Sequence, residues 1–183
     1  LKYQFASLLL LLFLLSGSVV SAEERVPFPT GYHDSFVEYL SIDRIMNPDQ
    51  IMRIYANEAA QQGRDQQGHL PNGSVLVGEV YSVRKDDTGE VIVSSLGLSS
   101  LGRRIEDKLV LIAVMERREG FAESSTSSVA TGDWDFGAYT PDGKVAAKEL
   151  DECRICHAPL KDYEFMFSLD HLPINAINAS SAP

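Results

Sequence analysis

Sulfur is nearly absent from the reactive side chains of this 183-residue chain, which has two cysteines, at positions 153 and 156, and no others. Any thiol chemistry is therefore confined to one place. Positive charge is also short, with 16 Lys and Arg against 26 Asp and Glu and a formal net charge of −10. Such a surface repels nucleic acid and anionic lipid and argues against a function built on either. There is no long hydrophobic run: Leu8 to Leu15 falls well short of the roughly 20 apolar residues that span a bilayer. No internal repeat and no long low-complexity linker divides the chain, and one core is expected at this length.

What is present begins with the amino-terminal pattern. Lys2 leads into the apolar run, and small residues follow to Val20-Ser21-Ala22, a cleavage site of the A-x-A type. Residues 1–22 read as a secretory signal peptide, which predicts a periplasmic, soluble protein with no membrane contact after cleavage. Removing them takes away one lysine and no acid, leaving 15 basic and 26 acidic side chains and a formal charge of −11. The expected organisation is a single domain over residues 23–174 and a small, polar, flexible tail over 175–183.

Cys153-Arg154-Ile155-Cys156-His157 is the attachment signature of a c-type haem. The thiols add across the two haem vinyl groups, and the imidazole that follows becomes an axial iron ligand. Export fits, because bacterial haem c attachment takes place outside the cytoplasmic membrane. Two other readings use the same residues. A redox disulfide normally opens a helix after a strand, whereas this motif follows the acidic run Lys148-Glu149-Leu150-Asp151-Glu152. A zinc site would need a fourth ligand, for which His171, His33 and His69 are the candidates.

Periodicity predicts both helix and strand. Asn47, Pro48 and Gly63 supply cap, first-turn and stop signals, with Ile51, Tyr55 and Ala59 on one helical face. Asp34 to Ile42 reads as a weaker helix or an extended entry segment. After the turn Pro71-Asn72-Gly73, Val75, Val77, Glu79, Tyr81 and Val83 alternate with Leu76, Gly78 and Val80, as a strand requires. Glu90–Ser94, Leu109–Met115 and Trp134–Tyr139 are further strands, the second apolar enough to be buried on both faces. The sum is an α+β fold, a mainly antiparallel sheet with flanking helices. Only 26 residues follow His157, and Met166, the one methionine among them, is too close in sequence to reach the far side of the iron.

These features together resemble the cytochrome P460 family, which includes the β-sheet cytochromes c′. The resemblance rests on Ile54-Tyr55-Ala56-Asn57-Glu58-Ala59-Ala60, Leu70-Pro71-Asn72-Gly73-Ser74-Val75-Leu76-Val77, Gly132-Asp133-Trp134-Asp135-Phe136, and Cys153 to His157 followed by Asp162-Tyr163-Glu164-Phe165. It implies one covalent haem c with a histidine proximal ligand, usually no distal protein ligand, a periplasmic location and often a homodimer. Its enzymatic members oxidise hydroxylamine and carry a lysine cross-linked to the haem; others bind nitric oxide. This chain has Met115-Glu116-Arg117-Arg118 and Gly78-Glu79 where relatives often have lysine, leaving Lys85 as the cross-link candidate.

Three functions follow from an iron with a vacant sixth position: oxidation of hydroxylamine or a related small nitrogen compound, binding of nitric oxide or carbon monoxide, and simple electron transfer. Oxidation needs a proton acceptor, for which Glu79 and Glu116 are the candidates if burial raises their pKa; otherwise they are solvated charges. Tyr81, Trp134, Phe136 and Tyr139 could wall the pocket or simply form core. Arg103, Arg104, Arg117 and Arg118 could pair with the propionates. A redox partner protein, such as another c-type cytochrome, would complete an electron-transfer chain.

Overall fold

The computed structural model describes residues 25–44, 46–94 and 102–173. The expected signal peptide and tail lie outside these residues. Five strands form one sheet in the order β1-β2-β3-β6-β7, with every neighbouring pair antiparallel. They are β1 (Val37–Asp43), β2 (Gln50–Ala56), β3 (Val75–Val83), β6 (Glu106–Arg117) and β7 (Trp134–Tyr139). A two-stranded ribbon of β4 (Val93–Ser94) and β5 (Arg103–Arg104) is inserted between β3 and β6. Four short helices, α1 (Tyr32–Ser35), α2 (Glu58–Gln61), α3 (Phe121–Ser124) and α4 (Leu150–His157), flank the sheet. The expected α+β class, mainly antiparallel, is what the chain adopts.

The helix expected from Asn47 to Gly63 is instead strand β2 followed by the one-turn α2. Residues 51–56 are apolar at both parities except Arg53, so β2 can sit between β1 and β3 and give an apolar side chain to each face. Asn47-Pro48 forms a turn closed by Gln50 N to Asn47 O at 3.1 Å. The helix cap is Asn57, whose Oδ1 accepts from Ala60 N at 3.0 Å, and Gly63 does end the segment at a φ of +80°, which costs glycine little. Of Asp34–Ile42, the extended reading holds from Val37. In Glu90–Ser94 only the last two residues are strand. Strand β6 is longer than Leu109–Met115, and its first half is not buried on both faces, since Val110 is 43% exposed.

Alternation along β3, β6 and β7 divides the core in two. Ala56, Leu76, Met115 and Phe136 are successive register partners across four strands and pack on one face with Trp134, Leu70 and Met166. Val77, Val114, Tyr55 and Tyr139 pack on the other with Tyr32, Val26 and Phe121. Asn57 fixes where β3 begins: its Oδ1 also accepts from Val75 N at 3.0 Å and its Nδ2 donates to Gly73 O at 2.8 Å. Asn57→Ala removes all three bonds and is expected to cost about 2 kcal/mol, between a lost cap and a lost buried hydrogen-bond partner. An unchanged urea midpoint in that variant would refute this role.

Candidate functional site

The motif lies on α4, with Cys153 and Cys156 in its last turns. At eight residues this helix is too short to persist alone, and none of its residues is fully buried. Asp151 and Glu152 in its first turn and Arg154 and His157 in its last suit the helix dipole. Its main tether is Arg154, the first variable residue of the motif. The guanidinium donates Nε and Nη2 to Oδ1 of Asp135 at 3.1 and 2.5 Å, and Nη1 to Asp151 at 2.8 Å. Asp135 is 2% exposed on β7 and also pairs with Arg25 at 2.8 Å. Buried carboxylate charge is thus matched by two guanidinium groups, the condition for such a pair to hold.

Cys153 is half-buried against the apolar cluster of Leu76 and Phe136, while Cys156 is exposed. Burial pushes the Cys153 thiol above its ordinary pKa, the opposite of an activated redox thiol. His157 Nδ1 lies 2.6 Å from the carbonyl oxygen of Phe165. A carbonyl only accepts, so Nδ1 carries the proton and Nε2 keeps its lone pair for a metal. Burial also lowers the pKa of His157, which favours the neutral, ligating ring. The imidazole is packed between Phe136, 4.9 Å between ring centroids, and Phe167, 5.1 Å.

The Phe165 carbonyl is aimed by an unusual piece of backbone. Glu164 and Phe165 have φ of +53° and +57°, the two non-glycine residues with positive φ among those described. The Glu164 carboxylate accepts from Trp134 Nε1 at 3.1 Å and Leu70 N at 3.4 Å, contacts His69 Nδ1, and lies 3.7 Å from Arg117 Nε.

This donor set fits a haem c. Two thiols about a helical turn apart and an imidazole with a fixed tautomer are present, and the apolar surface beside them is uncovered. Ile155 and Phe167 are 61% and 65% exposed, and Tyr163 is exposed too, as expected of side chains that a flat macrocycle would cover. The zinc reading fails on geometry: among the described residues no three His, Cys, Asp or Glu side chains converge as a metal site requires. His33 and His69 are bound to Glu79 and Glu164 instead. The disulfide reading is weakened by the motif's place in the last turns of its helix and by the raised Cys153 pKa.

The other sequence candidates are not brought to the motif. Glu79 is 1% exposed, so it is no solvated charge, but it lies on the opposite face of the sheet. There it accepts from Tyr32 at 2.6 Å and Tyr81 at 2.9 Å, with His33 Nε2 at 3.1 Å. Burial, then the Glu79 hydrogen bond, raises the pKa of both phenols. Glu116, a register partner of Val75, is buried on the same far face and held by Arg118 at 2.6 Å. Lys85 pairs with Asp49 at 2.9 Å, past the end of β3, while the motif packs near its start at Leu76. Lys85 is nine positions along the chain from Leu76, about 30 Å if fully extended. Trp134 and Phe136 are on the motif's face, Tyr81 and Tyr139 are not. Arg117 and Arg118 face Glu164 and Glu116, and Arg103 and Arg104 lie by Asp43, lining an open cavity of about 390 Å³.

Sequence reasoning left unnamed the acceptor for His157 and the anchors Asp135 and Glu164. Both acids stand in the segments that carried the family resemblance, yet no spacing rule marks a Glu-Phe pair for positive φ.

The model of the family described as Cytochrome P460 matches residues 29–168. The chain belongs to the cytochrome P460 family, and is a haem c-type cytochrome of that type. Comparison with curated proteins returned no match.

The unequal burial of the two thiols has a direct chemical consequence. In the haem-free chain at neutral pH, Cys156 should alkylate with iodoacetamide at least several times faster than Cys153, because the thiolate is the nucleophile and Cys153 is both shielded and shifted upward. The gap should narrow as pH rises and Cys153 ionises. Peptide mass spectrometry at timed quenches checks this, and equal rates would contradict the burial described.

Proposed function

We propose that this chain is an exported cytochrome carrying one haem c on Cys153 and Cys156, with His157 as iron ligand, and that it binds nitric oxide or a similar small diatomic ligand. The observation that carries the reading is the composition of the sheet face against which the motif packs. Beyond Leu76 and Phe136, that face continues through Met52, Ile54, Gly78, Val80, Leu111 and Ala113, related by register and alternation. All are apolar, and Met52, Ile54, Leu111 and Ala113 are only half-covered. Glu79 and Glu116 are on the other face, already engaged by phenols and a guanidinium.

Bound here, the haem would supply an iron with a coordination position open to a small ligand. His157 offers Nε2 to that iron, and the Phe165 carbonyl holds the proton on Nδ1. Arg154 and Asp135 hold the helix that presents both thiols. An apolar surface favours a neutral diatomic ligand over water and offers no base. Hydroxylamine oxidation needs a proton acceptor in reach, and this weighs against it as the main activity. Met166 is in the core, next to the residue whose carbonyl binds His157, which supports an open rather than methionine-filled far side. Export through residues 1–22, pairing of two chains, and exchange of electrons with a basic partner such as another c-type cytochrome are parts of the same proposal; the acidic surface suits such a partner.

The test is the optical spectrum of the ferrous protein, coexpressed with a haem c maturation system, with and without carbon monoxide and nitric oxide. A high-spin haem c spectrum that shifts with both gases, at one haem per chain and without hydroxylamine-dependent reduction of an artificial acceptor, is expected. A Soret band far to the red, together with hydroxylamine turnover, would make this an oxidase instead. A low-spin spectrum indifferent to carbon monoxide would mean electron transfer. Cys156→Ser and His157→Ala should lose the normal covalent haem signal, and either variant keeping the wild-type spectrum would sink the assignment of the motif.

A further inference from the structure

We infer that Glu164 is a positioning residue that sets the donor strength of the His157 imidazole by holding the Phe165 carbonyl against it. This deepens the haem reading above and rests on it.

Two consecutive side chains in the left-handed region, one of them a phenylalanine, are disfavoured by contact between Cβ and carbonyl oxygen. Such backbone persists only where its surroundings over-determine it. The surroundings are on the page. Glu164 follows the 3-10 turn Ala158–Tyr163, a place where a glutamate would ordinarily face water, yet it is buried. Its carboxylate gathers Trp134 Nε1 from β7, Leu70 N and His69 Nδ1 from the segment before β3, and Arg117 from β6. Three separate parts of the fold thus grip one side chain. On the other side of the kink, the Phe165 ring sits against Gly132, where a Cβ would come within 3.0 Å of it. Gly132 itself has a φ of +57°. The Phe165 carbonyl follows directly on this anchored pair, and its oxygen lies 2.6 Å from Nδ1.

The chemistry follows from that contact. An acceptor on Nδ1–H makes Nε2 a stronger donor, and a stronger donor favours ferric over ferrous iron. Release of the Glu164 anchor lets the kink relax, lengthens the contact and weakens the donor. Glu164→Gln keeps the shape and one acceptor oxygen, so it should hold the kink; Glu164→Ala should not.

The measurements are the midpoint potential and the ferrous iron–histidine stretching frequency of haem-loaded wild type and variants, with covalent haem quantified in each. In Glu164→Ala the potential should rise by the equivalent of about a tenfold change in the ferrous-to-ferric ratio, about 59 mV for one electron, and the stretching frequency should fall. Glu164→Gln should stay within about twofold of wild type. A haem-loaded Glu164→Ala that matches wild type in both readouts overturns the inference, and so does a Glu164→Gln shift as large as that of Glu164→Ala, because charge rather than position would then be at work. If Glu164→Ala does not fold, the double variant His69→Ala with Arg117→Gln strips two anchors and leaves Glu164 in place. It must shift the potential in the same direction, and an unmoved potential there also overturns the inference. A wild-type chain without covalent haem overturns the haem reading itself, a failure distinct from the others.

Discussion

The hydrogen bond from His157 Nδ1 to the Phe165 carbonyl is the constraint on which the site depends. A C-x-x-C-H string places an imidazole after two thiols but fixes neither its tautomer nor its ring plane. The carbonyl does both, because it can only accept, and the flanking rings of Phe136 and Phe167 remove the remaining rotation. Burial acts in the same direction by holding the ring neutral. The bond in turn requires the chain to reverse within a few residues of the motif. The left-handed Glu164-Phe165 pair makes that reversal and the Glu164 carboxylate, reaching back into the sheet, secures it.

The sheet imposes a second division, between an apolar face that receives the motif and a face that keeps the charge. Strand period makes the choice sharp, since a one-residue slip of β3 would exchange Gly78 for Glu79. Register is pinned at the start of β3 by Asn57, which binds Gly73 and Val75 at once. A bare carboxylate on the apolar face would be costly to desolvate. On the far face Glu79 meets two phenols and an imidazole that share the cost. Gly78 leaves room on the apolar face for the Met52 thioether, which lies 3.4 Å from where a Cβ would stand.

What was legible in the sequence follows the range of the interactions. The strands at Val75–Val83 and Trp134–Tyr139 and the antiparallel α+β class are written in local pattern, and each is found; the haem motif is equally local, and the family match agrees with a haem c. The helix over residues 47–63 is not found, and the reason is arithmetic: Ile51, Tyr55 and Ala59 are four apart, an even spacing that suits one face of a strand as well as one face of a helix. Asn47-Pro48 begins a turn as readily as a helix. The alternation correctly put Glu79 on a stripe with Val77 and Tyr81, away from Gly78, but it left the choice between a solvated and a buried carboxylate open, and the carboxylate is buried. The bond from Tyr32 to that carboxylate, like the grip of Trp134 and Leu70 on Glu164, joins residues 30 to 94 positions apart, and no short window along the chain contains both ends.

The motif helix is the least self-sufficient element of the fold, and this bears on how cofactor and protein depend on each other. Its eight residues bury no side chain completely, so apolar packing contributes little to its docking. Arg154 on Asp135 and Asp151 on Ser127 tie it at the polar level, but paired charges mostly offset their own desolvation. Ile155, Tyr163 and Phe167 remain exposed around it, an arrangement that a folded protein ordinarily avoids unless something covers it. Two thioether bonds to one rigid ring would cross-link the helix, and the ring would cover that apolar surface. A ligand that binds only the folded state stabilises it. In the proposed haem-loaded protein the polar tethers would hold the helix near enough for attachment, and attachment would supply the packing that the helix itself lacks.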